Sequence, residues 1–204
     1  MRLMPNILVA CIGTTCLLGC SQRLSHLPVT PPDSTAGLFP LAAGNEWVYH
    51  YRQWIEGDLA DDSYDTSRLD TSLLWNGAEW FGARGDSVFC RNESDGFYYL
   101  IFDQDHPDGY EVLIYRYPTH ANETWMIQPD SMRVQVITTN ASVTVPAAAF
   151  HECIQYRVFT KSNIPTDHYI LPEVGEVYTA LDDTSIVYEF RKVRYELVSF
   201  RSGL

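Results

Sequence analysis

Basic residues are scarce in this chain. Over 204 residues, 14 Lys and Arg stand against 26 Asp and Glu, for a formal net charge of −12 at pH 7. So acidic a protein is repelled by polyanions, and no nucleic-acid partner is expected. Helical patterning is missing as well: past residue 20 no stretch keeps apolar residues at three-to-four spacing. The motifs Gly-x-Ser-x-Gly, Ser-x-x-Lys and His-Glu-x-x-His do not occur. Six histidines are scattered (His26, His50, His106, His120, His151 and His168), and no two have the spacing of a metal pair. The acid pairs Asp61-Asp62 and Asp182-Asp183 would point to opposite faces of a strand, so neither converges on a substrate. No cofactor is expected, and the chain is read as a non-enzymatic protein that works by binding.

What is present begins at the N-terminus. Arg2 precedes an apolar run over residues 7–18, which Leu17-Leu18-Gly19-Cys20 closes. The run is too short for a permanent membrane span and has the length of a signal h-region. The tetrapeptide resembles the lipobox of bacterial lipoproteins; an ordinary secretory signal with a chance cysteine is the alternative. The resemblance implies that residues 1–19 are removed as a signal peptide. Cys20 then becomes the lipid-bearing first residue, acylated with palmitate or a similar chain. Its partner is thus a membrane, reached through the lipid. Ser21, where enteric bacteria use Asp for inner-membrane retention, points to the outer membrane of a bacterial cell envelope. Residues 20–38 hold three prolines and several Ser and Thr, and read as a flexible tether. Cys11 and Cys16 leave with the signal. Cys90 and Cys153 remain in an oxidising compartment, either as a disulfide or as two small buried apolar residues.

Residues 39–204 read as a single all-β domain. Trp47, Tyr49 and Tyr51 alternate with Val48, His50 and Arg52, giving the first strand an aromatic face. Further strands are expected at 68–75, 79–83, 87–91, 97–102, 110–117, 132–139, 142–145, 153–160, 168–171, 176–181 and 185–200. Turn residues separate most of them, including Asn76-Gly77, Asp95-Gly96, Asp108-Gly109 and Asn140-Ala141. Closely spaced antiparallel strands in this number predict a meander that curves into a half-barrel or splits into a sandwich. One local pattern occurs twice. Phe39-Pro40 precedes Ala43 and Trp47 at the same offsets as Tyr117-Pro118 precedes Ala121 and Trp125. Reuse of one turn explains this better than duplication, because the flanking residues do not align.

Three stretches carry a wider resemblance: Phe39-Pro40-x-x-x-Gly44-x-x-Trp47-x-Tyr49, Val145-Pro146-Ala147-x-x-Phe150-x-Cys153 and Tyr169-x-Leu171-Pro172-x-Val174-Gly175-x-Val177. Together with the lipobox and tether they look like a group of uncharacterised bacterial envelope lipoproteins. Ala148-Ala149 stands where that group has Gly-Thr, and Glu173 and Glu176 also depart from its pattern. The resemblance implies an antiparallel β envelope protein and transfers no catalytic residue.

Two local clusters invite chemistry. Asp103, Asp105 and Asp108 before Gly109 have the ligand types of a calcium loop, but Pro107 interrupts the pattern and a solvated hairpin turn accounts for it better. The aromatics Trp47, Tyr49 and Tyr51 are either core or the lining of a concave surface for an apolar ligand. The expected role is a membrane-anchored binding module for an apolar ligand or an envelope protein. A structural or assembly component acting through protein–protein contacts is the alternative, and a cell-envelope hydrolase ranks below both. Replacing Cys20 with Ser should abolish acylation and move the protein from the detergent phase to the soluble fraction; unchanged partitioning would refute the lipid anchor.

Overall fold

The computed structural model describes residues 37–128, 132–160, 164–183 and 191–203. Cys20, the signal segment and the tether up to residue 36 lie outside the described residues. Among the described residues every regular element is a strand: β1 (Glu46–Ile55), β2 (Asp58–Arg68), β3 (Thr71–Trp75), β4 (Ala78–Gly82), β5 (Val88–Glu93), β6 (Gly96–Ile101), β7 (Tyr110–Arg116), β8 (Thr124–Ile127), β9 (Met132–Thr144), β10 (Ala149–Phe159), β11 (Pro165–Leu171), β12 (Gly175–Asp183) and β13 (Arg191–Arg201).

The strands form two antiparallel sheets, neither closed into a barrel. The larger has the order β2-β1-β13-β12-β11-β10-β9-β8, and the smaller runs β3-β4-β5-β6-β7. Sequence neighbours pair throughout each sheet, as a meander requires. The exception is β1, which also pairs with β13 and so joins the first and last described strands. Asn45 secures that junction. Its amide donates to the Pro40 carbonyl at 2.6 Å, and its Oδ1 accepts from the Gly203 N–H at 2.7 Å.

Apolar residues of alternating strand positions face inward from both sheets. One cluster joins Phe97, Ile101, Val112, Ile114 and Tyr115 of the small sheet to Trp125, Val134, Val136, Ile154, Tyr156 and Ile170 of the large one. A second gathers Trp47, Leu69, Val145, Cys153, Val177 and Leu197, with Phe81, Phe150 and Phe200 packed against it.

The two similar segments share their turn but not their entry, since the Tyr117–Pro118 peptide is cis and the Phe39–Pro40 peptide is not. Asn45 N–H donates to Ala42 O at 3.1 Å, and Glu123 N–H donates to His120 O at 3.2 Å. The third residue of each has positive φ, 96° at Gly44 and 71° at Asn122, as a type II turn needs. Each turn sets a tryptophan as the second residue of a strand, yet the two rings enter different clusters.

Three strand expectations are corrected. Asn140-Ala141 is no turn: β9 runs unbroken from Met132 to Thr144, paired with β10 across several register shifts. β2 was not expected at all, because Asp58–Arg68 has no apolar alternation and is exposed along nearly its whole length. It forms because Glu56 and Gly57 both take positive φ, which makes a tight hairpin with β1. β8, at four residues, was too short to show a pattern.

Trp47 is 4% exposed and its ring stacks on Phe200 at 5.2 Å. Its Nε1 donates to the Val174 carbonyl at 2.7 Å. Trp47→Ala should destabilise the domain by about 3–5 kcal/mol, the usual loss for a large buried aromatic. Urea unfolding followed by circular dichroism measures this, and an unchanged midpoint would show that the ring is not a core anchor.

Candidate binding cleft

The aromatic face proposed from sequence is largely spent on packing. Trp47 lies in the core, and the Tyr49 hydroxyl donates to the Glu176 carbonyl at 3.0 Å. Burial, with the Glu176 carboxylate second, pushes the Tyr49 phenol well above its usual pKa. The half-buried Tyr51 lies 4.7 Å from Tyr195, ring to ring. All three side chains thus rest on β12, β13 or the turn before β12. The structure brings them into one face but fills the space in front of it.

Cys90 and Cys153 are held as thiols and not as a disulfide. The Cys90 thiol donates to Phe81 O at 3.2 Å. Cys153 is fully buried among apolar side chains, and that burial pushes its thiol up to about 11. Of the two alternatives read from sequence, the structure shows small packed side chains.

A buried polar group that sequence did not disclose lies nearby. His168 Nδ1 and Glu176 Oε1 are 2.5 Å apart, and the Thr179 hydroxyl donates to the same oxygen at 2.5 Å. A register shift between Tyr169 and Ile170 places Glu176 opposite Ile170 and leaves Val177 as an extra residue of β12. The bulge turns Glu176 toward His168, which strict alternation from Thr179 would not do. His168 is 1% exposed, with the Tyr115 ring 6.0 Å away. The imidazole is thus closed to a substrate-sized molecule, while the Glu176 side chain keeps 28% of its surface exposed.

The acidic loop is also accounted for. Asp103 Oδ1 accepts the N–H groups of Asp105 and His106 at 2.9 and 2.7 Å. Desolvation is the largest single influence and raises its pKa, but these bonds and the His106 side chain together outweigh it and hold the carboxyl below the usual range. Asp103 therefore acts as the lock of a hairpin turn.

One open feature among the described residues is a cleft of about 670 Å³, lined by Gly37, Phe39, Pro40, Leu41, Ala78, Glu79, Phe81, Arg91, Asn92, Glu93 and Glu173. Phe39, Leu41 and Phe81 are partly buried and give it apolar walls, while Glu79, Glu93 and Glu173 are exposed. Arg91 is bound on three sides. Its Nε lies 2.8 Å from Glu93 and its Nη2 lies 3.6 Å from Glu111, and its guanidinium covers the Trp80 ring at 4.4 Å. Asn92 joins the segment that follows the tether: its amide donates to Phe39 O at 2.7 Å and its Oδ1 accepts from Phe39 N–H at 3.4 Å. Gly37 O accepts from Glu173 N–H at 3.4 Å on the opposite side. A smaller cleft of about 400 Å³ lies between Ser94, Asp95, Leu113, Arg116, Pro118 and Glu123. Of the sequence-selected site residues that are described, none lines the larger cleft. Pattern reading places Glu79 on a strand and leaves Glu93 just beyond one, and it gives no separation between the two strands.

No protein-family model and no curated protein matches the chain. Two solved structures are similar to it. One is a candidate exported protein with a YmcC-like fold from Bacteroides fragilis NCTC 9343. It is 14% identical, covers 82% of this chain and 100% of its own, and has a TM-score of 0.46. The other is a candidate lipoprotein from Parabacteroides distasonis ATCC 8503. It is 14% identical over 81% of this chain and 99% of its own, with a TM-score of 0.47.

The buried phenols predict alkaline unfolding. Burial first, then the Glu176 carboxylate, raises Tyr115 well above the ordinary phenol pKa. Burial first, then Tyr117, raises Tyr156 in the same direction. The native state keeps these protons where unfolded tyrosines release theirs, near pH 10. This contribution is complete below pH 10 and is lost as pH climbs toward the native pKa values. Each such tyrosine lowers stability by about 1.4 kcal/mol per pH unit in that window. Urea midpoints should hold steady from pH 7 to 9 and fall above 10, with phenolate absorbance at 295 nm rising only on unfolding. Ionisation of all tyrosines in the folded protein near pH 10 would contradict the burial.

Proposed function

We propose that this chain is a lipid-anchored lipoprotein of the bacterial cell envelope, held at the outer membrane through Cys20, and that its β domain is a non-enzymatic binding module for an envelope protein. The observation that carries the reading is the position of the 670 Å³ cleft, which opens where the chain enters the domain at Gly37–Leu41. A tether of the length of residues 20–38 lets such a cleft stand away from the membrane while staying close to envelope proteins. A protein partner is favoured over an apolar small molecule for two reasons. The aromatics Trp47 and Tyr49 are committed to packing and backbone hydrogen bonds. The cleft itself is open and charged at its rim, whereas small-molecule sites are enclosed and mostly apolar.

The test is site-specific photo-crosslinking in cells of the organism that makes the protein. A photoreactive residue at Glu79 or Glu93 should give a discrete protein adduct, whereas one at the exposed Leu74 should not. Equal adducts from all three positions, or none from the cleft, would reject the binding-module reading.

A further inference from the structure

The cleft is an interruption in a sheet. β3 pairs with β4 along its whole length, from Thr71↔Gly82 to Trp75↔Ala78. β5 pairs with β6 equally fully, from Val88↔Ile101 to Glu93↔Gly96. Between β4 and β5 the ladder holds at one position, Phe81↔Cys90. Continued register would set Glu79 opposite Asn92 and Ala78 opposite Glu93, and these four residues line the two sides of the opening. Alternate N–H and C=O groups of an antiparallel strand point to each of its sides. β4 and β5 therefore turn two backbone edges toward a shared slot that narrows to a vertex at Phe81 and Cys90.

The protein already shows how one wall receives main chain. Asn92 takes both the C=O and the N–H of Phe39, the two-point contact of an amide with an extended backbone. The rim gives the slot its sign. Glu79, Glu93 and Glu173 are exposed, while Arg91, the one cation among the described lining residues, is engaged by Glu93 and Glu111. Edge strands bind extended segments by strand addition, where main-chain bonds give affinity and alternate side chains give specificity.

We infer that the slot between β4 and β5 accepts an extended, Lys- or Arg-bearing segment of a partner protein as an added strand. This rests on the binding-module reading above and names the chemistry of its partner. In this register Glu79 shares a face with Phe81 and Glu93 lies on the opposite face with Arg91, so two consecutive basic side chains of the segment would meet Glu79 and Glu93, one on each face, with apolar side chains flanking the pair.

The full-length lipoprotein in non-ionic detergent is titrated into three fluorescent ten-residue peptides: Lys-Lys pairs separated by Val-Val pairs (the Lys–Val peptide), the same pattern with Glu in place of Lys, and the Lys–Val peptide N-methylated at every second amide. The Lys–Val peptide should bind at least tenfold more tightly than either of the others, and more weakly as salt is raised. Its binding should slow amide exchange at residues 78–80 and 91–93. The Glu79→Gln/Glu93→Gln double variant should lose affinity severalfold and show a flatter salt dependence. Equal binding of the N-methylated peptide, or exchange protection elsewhere, would overturn strand addition. If no peptide binds while crosslinking from Glu79 still captures a discrete partner, the basic-strand chemistry is wrong and the module reading stands. Failure of both experiments removes both.

Discussion

The bond from the Trp47 indole to the Val174 carbonyl holds together parts of the chain that are 127 residues apart. Around it the three stretches that resemble envelope lipoproteins converge. A Cβ at Gly175 would meet the Phe39 ring at 2.7 Å, so the β11–β12 turn and the opening segment touch through a position where only hydrogen fits. Gly175 also has φ of 95°, which the turn needs and other residues resist. Val145, Phe150 and Cys153 pack into the same cluster as Trp47, and Ala147 N–H donates to Leu197 O at 3.0 Å. These motifs are short because each supplies one face of a single contact. Their spacing in sequence reflects the number of strands the meander lays down before it returns to β1.

That dependence explains which parts could be read in advance. Strands with an apolar face, such as β6 and β7, show their alternation because the core demands it. The turn at Asn76-Gly77 declares itself because both residues must take positive φ. β2 has no buried face and so leaves no apolar trace; only its partner strand and a Glu56-Gly57 turn specify it. Glu176 is hidden for a different reason. A one-residue bulge changes which face it occupies, and bulges have no signature in a single sequence. The cleft was equally silent. It is made by strands that separate, and composition records pairing partners, not the distance between them.

Acidic residues have two different jobs in this architecture. On the outside of the large sheet many are matched across strands, as in Arg157 with Asp167 at 2.7 Å and Arg194 with Asp182 at 2.7 Å. Such exposed pairs add little stability individually. Along β2, an outermost strand, Asp58, Asp61, Asp62 and Asp65 instead crowd a row of backbone groups that could recruit another chain. Charge at that position discourages edge-to-edge association. Acidic groups therefore guard the rim of the large sheet and, at β4 and β5, give the gap in the small sheet its sign.

The pairing of the first described strand with the last also sets how the domain bears load. A pull along the N-terminal segment arrives first at the Phe39–Asn92 clasp, the Gly37–Glu173 bond and the Asn45–Gly203 link. Behind them stands β1, which is hydrogen-bonded to β13 on one side and to β2 on the other. Tension directed along β1 must shear both ladders together, because an interior strand cannot be peeled from a free edge one bond at a time. A domain attached at this corner would yield locally, through its clasp, long before its sheet came apart.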